Sequence, residues 1–98
     1  MGNFFDLKNK VAIITGSSRG IGKGIALRYS ELGAKIIVSS RKIDACKKVV
    51  KEIVDSGGIA SAYECNISNK EACEGLIKFA KEKHGKLDIL VCNAASNP

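Results

Sequence analysis

The stretch TGSSRGIG occupies residues 15–22 and follows the short apolar run VAII at residues 11–14. The apolar run predicts a buried strand, and a helical pattern opens at Gly20, so the glycines lie at a strand-to-helix turn. A helix N-terminus offers free N–H groups and a partial positive charge, which favour a phosphate group. The stretch therefore predicts a dinucleotide site in preference to a simple glycine-rich turn.

The three glycines have separate expected roles. Gly16 permits a sharp turn out of the strand, whereas Gly20 and Gly22 let the first helical turn approach a diphosphate and pack on the sheet. Their spacing is G-x-x-x-G-x-G and differs from the G-x-G-x-x-G form, because Ile25 stands where the last glycine of that form would fall.

The rest of the chain alternates between strand and helix patterns. Strands are predicted at 11–15, 36–38, 60–65 and 87–92, with helices at 20–32, 43–54 and 72–84 between them. This order predicts an α/β fold: a Rossmann-type, doubly wound parallel sheet in three α/β/α layers, incomplete in this chain, with strand order 3-2-1-4. A ligand crevice is expected where the order reverses, between strands 1 and 4.

Local signals place several helix boundaries. Gly33, the pair Gly57-Gly58 and Gly85 each follow an apolar helical stripe and predict its C-terminal end. Ile21 is predicted to belong to the apolar stripe of the first helix. Ser68 and Glu71 form an S-x-x-E pattern, which predicts a capping box at the start of the third helix.

Composition limits the class of protein. The chain has 98 residues, 45% hydrophobic residues and a net charge of +6, which fits a globular domain or part of one. No apolar stretch is long enough for a membrane span, and no signal-peptide core is present at the N-terminus. The four cysteines show no metal-type spacing, so we expect buried or half-buried free thiols, no metal site and a cytoplasmic location.

The residues after the second strand indicate which nicotinamide cofactor is bound. NAD-binding folds place a carboxylate there, but this chain reads Ser40-Arg41-Lys42. The Arg41 guanidinium can grip a 2′-phosphate, with Arg19 approaching from the glycine loop and the Ser40 hydroxyl adding a donor. The sequence therefore predicts NADP(H). The alternative is that both arginines are ordinary solvated side chains.

The chain resembles the short-chain dehydrogenase/reductase family in two motifs. TGSSRGIG matches the T-G-x-x-x-G-I-G of that family, and LDILVCNAA at 87–95 matches the segment that carries its N-A-G-type motif. The "NAASNP" form is similar to carbonyl-reductase and retinal-reductase members. Ala95 replaces the usual glycine, and Asn66 replaces the usual Asp beside the adenine. The predicted cofactor-binding residues are Gly16, Ser18, Arg19, Gly20, Ile21, Gly22, Ser40, Arg41, Asn66, Ile67, Asn93, Ala94 and Ala95.

The catalytic residues of that family have no counterpart in this chain. The family uses a serine and a Y-x-x-x-K pair, but Tyr29 is followed four residues later by Gly33 and Tyr63 by Ile67. We therefore expect residues 1–98 to be the N-terminal, cofactor-binding part of a longer oxidoreductase, inactive alone. The resemblance implies a small carbonyl or alcohol substrate and a homo-oligomer, a dimer or tetramer, for the complete protein.

Two other functions compete with this interpretation. A non-catalytic NADP(H) sensor could use the same fold, since fold does not fix function. A nucleic-acid-binding module would explain the charge of +6, but no basic stripe with interleaved aromatic residues supports it, so nucleic acid is not an expected partner.

Overall fold

Strands and helices alternate along the whole of the described chain. The computed structural model describes residues 6–93. The elements are β1 (Val11–Thr15), α1 (Gly20–Glu31), β2 (Lys35–Ser40), α2 (Ile43–Asp55), β3 (Ile59–Glu64), α3 (Lys70–His84) and β4 (Ile89–Val91). Each predicted element is present, with shifts of one or two residues at some boundaries.

The strands form a parallel sheet in the order β3-β2-β1-β4, as the sequence predicts. β1 pairs with β2 on one side and β4 on the other, so Ile14 lies opposite both Val38 and Val91. This common register brings the carboxyl ends of β1, β2 and β4 to one edge of the sheet. The strand order reverses beside β1, and the loops after β1 and β4 flank that point.

The two faces of the sheet bury different residues because side chains alternate along a strand. Ile14 and Val38 pack with Ala26 of α1 and Val49 of α2, so α1 and α2 cover one face. Ile13 and Ile37 pack with residues of α3 on the opposite face. The result is the predicted three-layer α/β/α arrangement, in which β1 and β2 carry seven of the fifteen buried apolar side chains of the described residues.

The outer strands are less buried than the sequence pattern predicts. β4 spans only Ile89–Val91, against the predicted 87–92, and Leu90 is 47% exposed. β3 is also half-exposed along its length. Both lie at the edges of the described sheet, where one side of the strand has no neighbour.

The start of α3 corrects the capping-box prediction. The N-cap is Asn69, whose side-chain oxygen accepts a hydrogen bond from the N–H of Ala72, and not Ser68. Asn66 is the reason, because its Oδ1 accepts from the N–H of Ser68 and its carbonyl accepts from Asn69. This turn places Ser68 before the helix, and Glu71 lies in the first turn.

Asp88 joins β1 to the segment before β4. Its Oδ2 accepts a hydrogen bond from the N–H of Val11 at 2.8 Å and lies 3.1 Å from Nζ of Lys86. The backbone hydrogen bond and the Lys86 ammonium both lower the pKa of Asp88. The carboxylate therefore holds the amino end of the sheet together and lies away from the cleft described below.

Two further predictions concern membranes and thiols. Within residues 6–93, none of the helices has both the length and the apolar character that crossing a bilayer demands. Cys46 and Cys65 are buried and Cys73 is half-buried, as expected, but Cys92 is exposed. All four are free thiols, and residues 6–93 contain no group of side chains suited to hold a metal ion.

Candidate functional site

A cleft of about 410 Å³ lies at the carboxyl edge of the sheet. The loops after all four strands contribute to it, which is the place where open parallel sheets bind ligands. Its described lining residues are Gly16, Ser18, Arg19, Ser40, Arg41, Lys42, Ala45, Cys65, Asn66, Ile67, Ser68 and Asn93.

The glycines of the loop after β1 are required by close backbone contacts. Gly16 has a φ of 63°, and a Cβ there would lie 2.6 Å from the carbonyl oxygen of Asn93. A Cβ on Gly22 would overlap the carbonyl oxygen of Gly16. Gly16 and Gly22 therefore let β1, α1 and the end of β4 approach one another.

Gly20 differs from the other two glycines. Its φ is 61°, a left-handed conformation that favours glycine, yet no atom of the described residues lies within 4 Å of the position its Cβ would occupy. The space at the Cβ position of Gly20 is therefore open among the described residues.

Among residues 6–93, no hydrogen-bond partner is found for the first amides of α1. Arg19 is the N-cap and makes no side-chain capping hydrogen bond, and the first turn contains no acidic residue. The first intrahelical bond runs from the N–H of Lys23 to the carbonyl of Arg19. The preceding amides are free to bind an anion, and the helix dipole favours one.

Two small hydroxyl residues fix the position of this loop. The Ser17 hydroxyl is fully buried, donates to the carbonyl of Ile14 at 2.6 Å and accepts from the N–H of Ser39 at 3.0 Å. Thr15 Oγ1 accepts from the N–H of Asn93 at 3.0 Å. The sequence pattern does not reveal Ser17, because the residue falls outside the glycine spacing and acts through Ser39, which is distant in sequence.

Three cations line the cleft: Arg19, Arg41 and Lys42. None of them forms an ion pair with another described residue, and no acidic side chain is among the described lining residues. Uncompensated positive charge in a concave site favours an anionic ligand. The sequence pattern does not single out Lys42, because only the fold shows that the second residue after β2 also lines the cleft.

The Ser40 hydroxyl has local partners. It accepts a hydrogen bond from the N–H of Lys42 at 3.1 Å and lies 3.1 Å from the Cys46 sulfur. The hydroxyl therefore shapes the turn into α2 as well as lining the cleft. These local contacts compete with its expected role as a hydrogen-bond donor to a phosphate.

Asn66 forms the turn before α3 and also lines the cleft. Its Oδ1 accepts from the N–H of Ser68 at 2.9 Å, which is the role of a helix-entry turn residue. It also lines the cleft together with Cys65 and Ile67. Its amide Nδ2 has no hydrogen-bond partner among the described residues, so a donor at this end of the cleft is free for a ligand.

The structure brings most of the predicted cofactor residues together. Gly16, Ser18, Arg19, Ser40, Arg41, Asn66, Ile67 and Asn93 line the cleft. Gly20, Ile21 and Gly22 lie in the first turn of α1 without lining it, and Ile21 is 78% exposed, so it does not belong to the helix's apolar stripe. Ala94 and Ala95 lie outside the described residues.

Comparison with known proteins identifies the family. The short chain dehydrogenase family model matches residues 10–98. The chain is 42% identical over 94% of its length to the short-chain dehydrogenase/reductase SDRA of Arabidopsis thaliana. It is 47% identical over 90% of its length to the 7alpha-hydroxysteroid dehydrogenase of Escherichia coli K12. The chain therefore belongs to the short-chain dehydrogenase family of oxidoreductases.

Solved structures give the same result. A hydroxysteroid dehydrogenase from Escherichia coli superposes with a TM-score of 0.92 at 44% identity, over 94% of this chain and 39% of that one. A metagenomic short-chain oxidoreductase in complex with NADP superposes with a TM-score of 0.88 at 36% identity, over 93% of this chain and 41% of that one. The chain spans about a third of the length of the two curated relatives, 36% and 34%.

Proposed function

We propose that residues 1–98 form the NADP(H)-binding part of an oxidoreductase that transfers hydride between a nicotinamide and a carbonyl or alcohol substrate. The observation that carries this proposal is the cation set of the cleft, Arg19, Arg41 and Lys42, without an acidic partner among the described lining residues. A carboxylate after β2 suits the ribose hydroxyls of NAD, whereas a guanidinium suits the 2′-phosphate of NADP.

The residues present fit the parts of such a cofactor. The open space beside Gly20 and the uncapped amides of α1 would take the diphosphate. Arg41, Lys42 and Arg19 would take the 2′-phosphate, and the lining residues Asn66 and Ile67 would contact the adenine. Asn93 would lie on the nicotinamide side, with Ala94 and Ala95 following it in sequence.

Catalysis in this proposal divides between the cofactor and the protein. NADP(H) supplies the hydride acceptor or donor when bound. The described residues bind and orient it: Ser17 and Asn93 hold the glycine loop, and the arginines fix the adenosine end. A preorganised site of this kind lowers the entropic cost of bringing reactants together.

The proton-transfer group lies elsewhere in this proposal. Tyr29 packs against the core cluster between the sheet and the helices α1 and α2. The ring of Tyr63 packs on Phe79, with centroids 5.0 Å apart. Neither tyrosine begins a Y-x-x-x-K pattern. We therefore assign the general acid to a continuation of the polypeptide and expect no hydride transfer by residues 1–98 alone.

The substrate class, the assembly and the location follow from the family. Two relatives are named as a hydroxysteroid dehydrogenase and a 3-oxoacyl-[acyl-carrier-protein] reductase, names that refer to a hydroxyl and an oxo group. A small carbonyl compound or alcohol is accordingly the proposed substrate. A homo-oligomer in the cytoplasm, with neither nucleic acid nor membrane as partner, completes the proposal.

Equilibrium titration tests the cofactor assignment. NADPH and NADH are added separately to the protein while cofactor fluorescence is followed, and 2′,5′-ADP and 5′-ADP serve as competitors that differ only in the 2′-phosphate. We expect tighter binding of NADPH and stronger competition by 2′,5′-ADP. Tighter binding of NADH would refute the assignment of the 2′-phosphate site.

A further inference from the structure

Two thiols lie at the ends of the segment that forms one wall of the cleft. Cys65 follows β3, is 3% exposed, lines the cleft and donates its N–H to the carbonyl of Ser40 at 2.9 Å. Cys73 lies in the first turns of α3 and is half-buried. Cys65 belongs to the apolar cluster that α3 forms on its face of the sheet, and Cys73 packs against the same cluster.

The residues between the two thiols contact the cleft directly. Asn66, Ile67 and Ser68 line it. The Cys73 thiol donates to the carbonyl of Ile67 at 3.5 Å, and the N–H of Cys73 donates to the carbonyl of Asn69 at 3.1 Å. A chemical change at Cys73 therefore reaches the wall of the cleft through one hydrogen bond.

We propose that Cys65 and Cys73 form a dithiol that a small disulfide such as oxidised glutathione converts to an internal disulfide, and that this oxidation weakens NADPH binding. The predicted weakening of NADPH binding rests on the proposed function. The formation of the disulfide depends only on the two thiols and stands apart from it.

The oxidation proceeds in two balanced exchange steps. The thiolate of Cys73 attacks oxidised glutathione, which forms a mixed disulfide at Cys73 and releases one reduced glutathione. The thiol of Cys65 loses its proton to solvent and attacks the Cys73 sulfur, which forms the internal disulfide and releases the second reduced glutathione. The protein loses two hydrogen atoms, and one disulfide molecule is reduced.

Exposure sets the order of the two steps. Cys73 is half-buried and accessible to a small disulfide, whereas Cys65 is almost completely buried. Burial and a hydrogen bond with the Cys73 thiol raise the pKa of Cys65 to about 11, so Cys65 is a poor first nucleophile. Cys65 is therefore the resolving thiol, and it lies in the same apolar cluster as the sulfur that it attacks.

The disulfide changes the wall of the cleft in two ways. A sulfur–sulfur bond is about 2.05 Å long, shorter than any contact between two thiols, so the two sulfurs must move together from their positions in the reduced form. The Cys73 sulfur also loses its proton, and the carbonyl of Ile67 loses its donor. Both changes shift residues 66–68, which line the end of the cleft proposed for the adenine.

Mass spectrometry and cofactor titration test the proposal together. The protein is treated with oxidised glutathione, the adduct is allowed to resolve, and the mass and the NADPH dissociation constant are measured before and after. Cys92→Ser serves as the background, because it removes an exposed thiol outside the pair. We expect the loss of two hydrogen atoms, a peptide joining Cys65 to Cys73, and an NADPH affinity lowered about five-fold or more.

Cys73→Ser in the same background is the decisive comparison. Its hydroxyl can still donate to Ile67 but cannot form a disulfide, so its NADPH affinity should resist the oxidant. An unchanged mass, a different cysteine pairing, or a disulfide without a change in affinity would overturn the inference. Failure of the reduced protein to bind NADPH would instead overturn the proposed function, which distinguishes the two failures.

Discussion

The Nδ2 of Asn93 lies 3.3 Å from the carbonyl oxygen of Gly16 and donates a hydrogen bond to it. This bond joins the end of β4 to the glycine loop after β1, across the point where the strand order reverses. The main chain of Asn93 makes a second link, from its N–H to Thr15 Oγ1. The geometry of the candidate cofactor site therefore depends on an asparagine as much as on the glycines.

Replacement of Asn93 should weaken cofactor binding in a graded way. Asn93→Ala removes one hydrogen bond and should cost about 1 kcal/mol of stability. Asn93→Asp should lower both the stability and the NADPH affinity further, because it sets a carboxylate against the Gly16 carbonyl and near the proposed diphosphate site. Denaturant unfolding and NADPH titration measure both effects. If aspartate proved as good as asparagine, the Gly16 contact would have no importance for the loop.

Gly22 and Gly24 form a matched pair for testing the glycine loop. A Cβ on Gly22 would overlap the Gly16 carbonyl, whereas no atom of residues 6–93 lies within 4 Å of a Cβ on Gly24 in the same helix. Gly22→Ala should lower the unfolding free energy by about 2 kcal/mol through overpacking and abolish NADPH binding. Gly24→Ala should raise it by about 0.5–1 kcal/mol, since alanine favours a helix.

The measurement for this pair is denaturant unfolding together with NADPH titration on both variants. Equal unfolding free energies for the two alanine variants would contradict the close approach of α1 to the loop. Retention of full NADPH affinity by Gly22→Ala would contradict the placement of the diphosphate against α1.

The two cations after β2 should contribute unequally to cofactor selection. Arg41→Ala should lower NADPH affinity at least about ten-fold by removing a charge-assisted contact, with little change for NADH. Lys42→Gln should lower it only about three-fold, as expected for an exposed charge pair. Lys47→Gln is the control, because Lys47 lies on α2 and outside the described lining of the cleft.

Titrations at two salt concentrations sharpen this prediction. The ratio of NADPH affinity to NADH affinity should decrease at high salt, because screening weakens contacts between exposed charges. Equal losses of NADPH and NADH affinity in Arg41→Ala would show that Arg41 holds the shape of the site and does not select the 2′-phosphate.

The sheet could be predicted because its central strands carry unambiguous patterns. Residues 11–14 and 36–38 are apolar throughout and fully buried. The uninterrupted apolar run of each strand therefore predicted correctly that both faces of the strand are buried. The edge strands were placed with less accuracy. Residues such as Leu90 and Ile59 are apolar but about half-exposed, and apolarity alone does not reveal which strands end a sheet.

The site was predictable where it depends on spacing and unpredictable where it depends on contacts. Gly16 and Arg41 follow from their positions after predicted strands. Ser17 and Lys42 required the fold, because the role of each depends on a neighbour distant in sequence or on the shape of the cleft. The error at Ser68 has a local cause: Asn66 forms a turn that moves the helix start to Asn69.

The single histidine of the chain should make stability depend on pH. Burial, followed by the nearby charges of Lys35 and Lys83, lowers the pKa of His84 below its usual 6.5. The unfolded chain therefore binds the proton first as pH falls, so the stabilisation is complete above pH 6.5 and is lost below it. Denaturant unfolding between pH 7.5 and 5.5 measures the decline, and His84→Gln, which cannot titrate, should flatten it. Because no other histidine is present, a slope that persists in this variant would contradict the assignment.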